Sequence, residues 1–541
     1  MNIFLELKMT SLNANHLKDK LKITNYKSQA KLYLNNGTIE EIDPYLFRDC
    51  AHLKEIYLEQ NVIATINSSL FKSCPKLEIL NLSWNRIFTL DSGLFDNCTQ
   101  LKELYLEQNK IAKIDHLVFR NCQRLEILNL ASNRIRVLSN KKRQSFFTYC
   151  VQLKQLNLRE NLIEEIETTE FETCQNLEIL NLSWNRIKSL KGDQFKNCTQ
   201  LKHMDLNGNL LGDALDFELF RKCPLLEILN FSKNKLKSLH IINSIYLKEI
   251  YLKENFLVDL EPTIFRQCQM LEILSLKSNQ IKALNKELFK SCIRLKELYL
   301  YKNFIEEIDL ALFEKCTMLE ILDLGSNRIK YFRIKNCAQL KQLNLYGNLI
   351  EELEFDIFSS CHKLETLDLS SNRIKCLSKC MFKDCAQLKH LYLNGNLIET
   401  IESTLFHNCN KLEILDLSSN RMHIKSLGHY GLLACCSQLK QLFLDANKFE
   451  FITNVNSKKI YLLILSKSTH FRPSLLARPE CLTLILASNN NSLFDLFVYQ
   501  YKFDINEICM IDKYNNVTHQ FPLVSIIYYL LFIQATKKRS F

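Results

Sequence analysis

Twenty-one cysteines and 12 histidines give this 541-residue chain the side chains for metal ligation, disulfide formation or nucleophilic catalysis. Sixteen of the cysteines recur at one position of a repeat: Cys50, Cys74, Cys98, Cys122, Cys150, Cys174, Cys198, Cys223, Cys268, Cys292, Cys316, Cys337, Cys361, Cys385, Cys409 and Cys436. A disulfide framework or a row of metal ligands would need such regular spacing. If successive repeats stack, however, these thiols stand ~4.8 Å apart with parallel Cβ vectors, beyond the ~3.8 Å mean Cβ separation of disulfides. A thiol is also a small apolar group that fits a tight chain reversal. The row therefore reads as reduced packing. Off the row, Cys376 and Cys380 with Cys385 form C-x3-C-x4-C, a loose match to a zinc motif, and Cys435-Cys436 reads as packing.

The remaining chemistry-bearing residues do not converge. The chain holds no phosphate-cradling glycine loop, no H-E-x-x-H, no G-x-S-x-G and no kinase signature. His203 and His390 fall on strand faces, and His362 and His407 adjoin the cysteine row. Carboxylate pairs such as Glu164-Glu165 and Glu306-Glu307 follow a turn, where a solvated rim is the ordinary explanation. Neither a catalytic group, a cofactor nor a metal is expected, and the chain reads as a non-enzyme.

The element that must position these residues is the repeat itself. Seventeen asparagines, Asn61, Asn85, Asn109, Asn133, Asn161, Asn185, Asn209, Asn234, Asn255, Asn279, Asn303, Asn327, Asn348, Asn372, Asn396, Asn420 and Asn447, sit in one frame, L-x-x-L-x-L-x-x-N-x-I-x-x-I followed by F-x-x-C. Most steps are 24 residues, a period that specifies a stacked solenoid. In Leu77 to Cys98, Leu80 and Leu82 alternate with polar neighbours as in a strand, and Asn85 falls where the chain must turn. A buried turn leaves backbone N–H and C=O groups to satisfy, and an amide side chain offers both donors and an acceptor. Ile87, Leu90 and Phe95 then fill the far side.

These residues resemble the leucine-rich repeat superfamily in its 24-residue class, over residues 27–455. The F-x-x-C ending is similar to the bacterial-surface type of that repeat, to which the asparagine frame does not belong. The resemblance implies an α/β solenoid: a right-handed horseshoe of about 18 coils with a parallel sheet on its concave side, ~85 Å along its arc at ~4.8 Å per strand. The 28-residue step from Asn133 to Asn161 includes Asn140-Lys-Lys-Arg143, expected to bulge away from the sheet. Residues 1–26 read as an N-terminal cap that includes Leu17 and Leu21. Residues 456–541 read as a small helical C-terminal region resembling a degenerate ankyrin repeat, with Thr483-Leu-Ile-Leu-Ala487 as its first helix; a non-ankyrin helical cap is the alternative.

On the expected concave face the outward column includes Tyr57, Tyr105, Asp205, Tyr251, Tyr299, Asp323, Tyr392 and Asp416, flanked by Trp84 and Trp184. Tyrosine gives large contact area at low entropic cost, so these ten residues are the candidate partner-binding set. Rows of tyrosine, isoleucine and asparagine also stabilise a sheet with no ligand at all.

The balance of 70 Lys+Arg against 59 Asp+Glu gives +11, with bases and acids at shared repeat positions, so no nucleic-acid stripe is expected. The N-terminus lacks the basic and apolar regions of a secretory signal. The apolar run Phe521 to Ile533 is shorter than the ~20 residues of a membrane span and reads as a buried helix, with a tail anchor as the alternative. The expectation is a monomeric, cytoplasmic protein–protein interaction scaffold. The alternatives are an extracellular receptor or adhesion ectodomain, using sequons such as Asn67 and Asn97, and a ubiquitin-ligase or signalling adaptor that recruits its machinery through residues 1–26.

Overall fold

The computed structural model describes residues 29–447 with breaks at 191, 213–216, 240–244, 335–336, 423–432, 434 and 446. It adds the short strands Ser11–Leu12, Phe451–Ile452, Leu462–Ser466, His470–Phe471, Thr483–Ala487, Met510–Ile511 and Val517–His519. The chain divides into two compact units, Met1–Gln280 and Ile281–Phe541.

In the first unit eleven short strands, from Lys31–Tyr33 to Ile273–Ser275, form one parallel sheet with a strand from each coil. Register is kept throughout: Leu80 lies between Ile56 and Leu104, and each such central residue is buried while its strand neighbours are partly exposed. The second unit repeats the arrangement from Glu297–Tyr299 onward. Its sheet runs past residue 455, since Leu462–Ser466 pairs with Gln441–Phe443 and Thr483–Ala487 pairs with Leu462–Ser466. Thr483–Ala487, expected as the first helix of an ankyrin-like unit, is therefore a strand. Leu484 falls at the position of Leu80, and Asn489 follows it by the same interval at which Asn85 follows Leu80, so the repeat frame persists where its spacing has decayed.

The asparagine spine holds the coils. Asn85 Nδ2 donates to Leu58 O of the preceding coil (3.0 Å) and to Leu82 O (3.1 Å), while Asn85 Oδ1 accepts from Ile63 N (3.0 Å). All seventeen asparagines are buried. The residue before the asparagine takes left-handed backbone in coil after coil, at φ 58 for Gln60, 54 for Trp84 and 56 for Gln108. On the far side the chain returns mostly through turns, such as Cys98 N to Phe95 O (3.0 Å) and Leu101 N to Cys98 O (3.1 Å). The helical component expected of the α/β class is, among the described residues, the 3-10 helix Phe217–Lys222. Phenylalanines of successive coils stack there: Phe95 and Phe119 lie 6.2 Å apart at 3°, and Phe382 and Phe406 6.0 Å apart at 13°. Burial of these residues removes them from water over the length of each unit, the main favourable term in a solenoid.

All sixteen row cysteines are buried. Uniform stacking would leave them all as thiols, but Cys337 and Cys361 form a disulfide with Cα atoms 4.9 Å apart, which corrects the expectation of a fully reduced row. The Cys337 coil is one of the short ones, with a half-buried Ile334 at the position where its neighbours place a phenylalanine. For the unbonded members burial pushes the thiols up, to about 12 for Cys74, Cys122 and Cys174, keeping them neutral. The loop at 140–143 closes on itself, with Asn140 Oδ1 accepting from Lys142 N (2.9 Å) and Gln144 N (3.0 Å). At the N-terminus Ser11–Leu12 pairs with Glu41–Ile42; Leu17 and Leu21 lie outside the described residues.

Candidate functional site: the outward face of the sheet

Because strand residues alternate, Glu55 and Tyr57 project from the same face of one strand. The tyrosine hydroxyl donates to its own strand's carboxylate: Tyr57 to Glu55 (3.0 Å), Tyr105 to Glu103 (2.8 Å) and Tyr251 to Glu249 (2.8 Å) in the first unit, and Tyr299 to Glu297 (2.7 Å) in the second. Burial and then the Glu103 bond push the Tyr105 phenol up to about 12, and burial and Glu297 do the same to Tyr299. Each ring is thus fixed while its faces remain partly open. Tyr57 also stacks on Tyr33, centroids 4.8 Å apart at 5°. This arrangement is legible in the E-x-Y spacing, a signal the sequence reading passed over.

The acidic members are placed differently. Asp205 and Asp416 are half-buried and accept from the backbone two residues on, at Asn207 N and Ser418 N (both 3.0 Å). Burial raises the Asp205 carboxyl above its ordinary value. Asp323 is buried and accepts from Asn344 Nδ2 (2.9 Å). Tyr392 lies half-buried in the strand His390–Tyr392. The two tryptophans occupy the left-handed position before the asparagine, where a bulky residue costs roughly 1–2 kcal/mol. Trp184 is internally engaged: Lys233 Nζ sits 5.1 Å from its ring centroid, and a Cβ on residue 208 would fall 2.9 Å from the ring, which only glycine avoids. Trp84 is 54% exposed.

Along one edge of the strands runs a charge column that the sequence reading saw only as mixed charge. Lysine and glutamate alternate coil by coil, and each binds its neighbour: Glu78 sits between Lys54 (3.0 Å) and Lys102 (2.8 Å), with Lys202–Glu178 (2.8 Å) and Lys248–Glu227 (2.9 Å) further along. In the second unit Lys341–Glu320 and Lys389–Glu365 (both 2.7 Å) continue it. The hydrogen bonds from Lys102 and Lys54 hold the Glu78 carboxyl down to about 2. The column neutralises itself and leaves little field for a polyanion.

Among the described residues no three of His, Cys, Asp or Glu gather to hold a metal, so Cys376, Cys380 and Cys385 do not form a cluster. Among the same residues no helix is long and apolar enough to cross a membrane, and Phe521 to Ile533 lies outside them.

Parallel coils closed by an asparagine spine define the leucine-rich repeat class. The BspA type leucine rich repeat region matches residues 22–142, and the leucine rich repeat matches 151–211, 245–300, 271–329, 293–350, 338–398 and 388–449. The chain belongs to the leucine-rich repeat family. No curated protein sequence matches it. Among solved structures it is similar to Drosophila Toll in the Toll–Spatzle complex (TM-score 0.63, 20% identity, 89% of this chain and 62% of that one). It is also similar to the plant peptide hormone receptor RGFR1 in complex with RGF2 (0.59, 20%, 90% and 73%) and to the Arabidopsis receptor kinase HAESA in complex with the peptide hormone IDA and SERK1 (0.59, 22%, 86% and 78%). The chain spans 62% of the Toll chain's length.

Proposed function

We propose that the chain is a non-catalytic recognition scaffold that takes a protein partner on the outward face of its sheet. The observation that carries this reading is the fixed tyrosine: in four strands a Glu–x–Tyr pair locks an aromatic ring that stays partly exposed. Pre-ordered rings lose little entropy on binding. The Toll, RGFR1 and HAESA structures are each described as complexes with a protein or peptide ligand, which supports a protein partner here as well. Replacing Tyr251, Tyr299 and Tyr392 by serine tests the reading by affinity capture from native cells. Loss of a partner from a folded variant supports it; unchanged capture removes this face from consideration.

The Cys337–Cys361 disulfide favours an extracellular receptor or adhesion ectodomain over a cytoplasmic scaffold, because such bonds persist in oxidising compartments. Under this reading Asn67 is a sequon open to a glycan, since it is exposed and its Oδ1 is bonded locally, to Ser69 N (2.9 Å). Asn197 instead commits its Nδ2 to Glu172 O (2.7 Å), as Asn97 does to Lys72 O. A mobility shift on deglycosylation that disappears in Asn67→Gln supports the extracellular reading; a linkage-free Cys337 and Cys361 in native material removes it.

A further inference from the structure

Five buried side-chain oxygens or nitrogens lack a hydrogen-bond partner among the described residues, and three of them stand together: Glu59 Oε2, Ser83 Oγ and Glu107 Oε2. They occupy one position of three successive coils in the first unit. The register that aligns Tyr57, Asn81 and Tyr105 runs two residues on to reach them. Gln60 N to Ser83 O (3.0 Å) and Trp84 N to Glu107 O (2.8 Å) hold that alignment. By alternation the three side chains share the outward face with the tyrosines.

Ser83 is the informative member. A serine on an outward row should be wet, yet it is 1% exposed. Its flanking neighbours on the row are the two longer glutamates, each with one carboxylate oxygen withdrawn from water and from any donor. Burial first, and repulsion from Glu107 in addition, raises the Glu59 carboxyl above its ordinary value. Three acceptors left unmatched side by side are costly to hold in an isolated molecule.

An internal copy is matched at its serine, although Asn207 Oδ1 on the same row is again without a partner. Residues 177–187 are identical to 77–87, and there the Ser183 hydroxyl donates to Asn181 Oδ1 at 2.6 Å. The residues flanking Ser183 on that row are Arg159 and Asn207 in place of two glutamates. Both adjoining tryptophans are exposed, Trp84 at 54% and Trp184 at 43%, and Trp184 also carries Lys233 over its ring.

We infer that Glu59, Ser83 and Glu107 form a subsite for a guanidinium side chain of the protein partner, a step that rests on the recognition role proposed above. A guanidinium is always charged and presents five N–H donors in a planar fork, which suits two carboxylates and a hydroxyl. Its face can also lie on an exposed indole such as Trp84. A calcium ion takes about six or more oxygens, more than these three side chains supply, and no metal-holding group of His, Cys, Asp or Glu is found among the described residues.

The test is a calorimetric titration of the full chain with N-acetyl-arginine methylamide, with the neutral citrulline analogue and with calcium chloride in parallel. Saturable binding of the arginine probe is expected, at least tenfold tighter than the citrulline probe. Glu59→Gln with Glu107→Gln should weaken the arginine probe at least tenfold at a melting temperature no lower than the parent's, and Glu107→Gln alone should weaken it by less. Equal binding of the citrulline probe, undiminished binding by the double variant, or saturation by calcium alone would each overturn the subsite. Because the probe is not a protein, its failure removes the subsite and leaves the tyrosine variants to decide whether the face binds a partner.

Discussion

Asn185 and Leu158, one coil apart, are joined by a 2.9 Å hydrogen bond from amide to carbonyl, and the same amide accepts from Ile163 N at 3.0 Å and donates to Leu182 O at 3.0 Å. Asn185→Ala strands a buried donor and two buried acceptors, each worth roughly 1–3 kcal/mol when left unpaired. A clear fall in the urea midpoint is expected. Asn185→Asp should fall as well, because it restores the acceptor and removes both donors; an unchanged midpoint in either would contradict the spine.

Lys302 adopts φ 58 immediately before Asn303. Glycine takes this conformation without the steric cost that a Cβ carries, so Lys302→Gly should raise stability by about 1 kcal/mol. The same change at a position of ordinary backbone should lower it. Thermal unfolding of the two variants gives the comparison.

Glu170 stands at a position filled in most coils by an apolar residue, is 2% exposed, and has an oxygen without a partner. Burial pushes its carboxyl up to about 7 from an ordinary 4.5. Its pKa is higher folded than unfolded, so its contribution is most favourable below the ordinary carboxylate range and is lost as pH rises toward 7. Glu170→Leu should therefore flatten stability against pH between about 4.5 and 7 and stabilise most at neutral pH. Parallel curves for the variant and the parent would show the carboxyl to be solvated.

Reduction should lower the melting temperature through one bond. Cys337 and Cys361 close a loop of sequence separation 24, for which chain entropy gives roughly 3–4 kcal/mol. Reductant should destabilise the parent and leave Cys337→Ala unaffected; equal responses would place the effect elsewhere.

Much of the fold could be read from Leu80, Leu82 and Asn85, because strand alternation and an amide at the turn carry their own physical reason at every coil. Reading failed where the spacing decays. Thr483–Ala487 has the strand pattern of the other coils but lies beyond the last regular asparagine, and an apolar five-residue run does not by itself distinguish strand from helix. The Cys337–Cys361 bond was hidden because its two cysteines hold the same repeat position as fourteen unbonded ones. On the outward face the tyrosine column was legible by position. Its bonds to Glu55, Glu103, Glu249 and Glu297 follow the E-x-Y spacing, whereas the unmatched acceptors around Ser83 arise from side chains meeting between strands, which a one-dimensional frame does not display.

Recognition through the sheet is tested most directly by a photo-crosslinking residue placed at Tyr251, Tyr299 or Tyr392, and in separate variants at the exposed positions Tyr331 and Phe355 outside the sheet. Irradiation in native cells should join a partner to the sheet positions and leave the outer two without it. A partner captured from Tyr331 or Phe355 and absent from all three sheet positions would contradict the proposal.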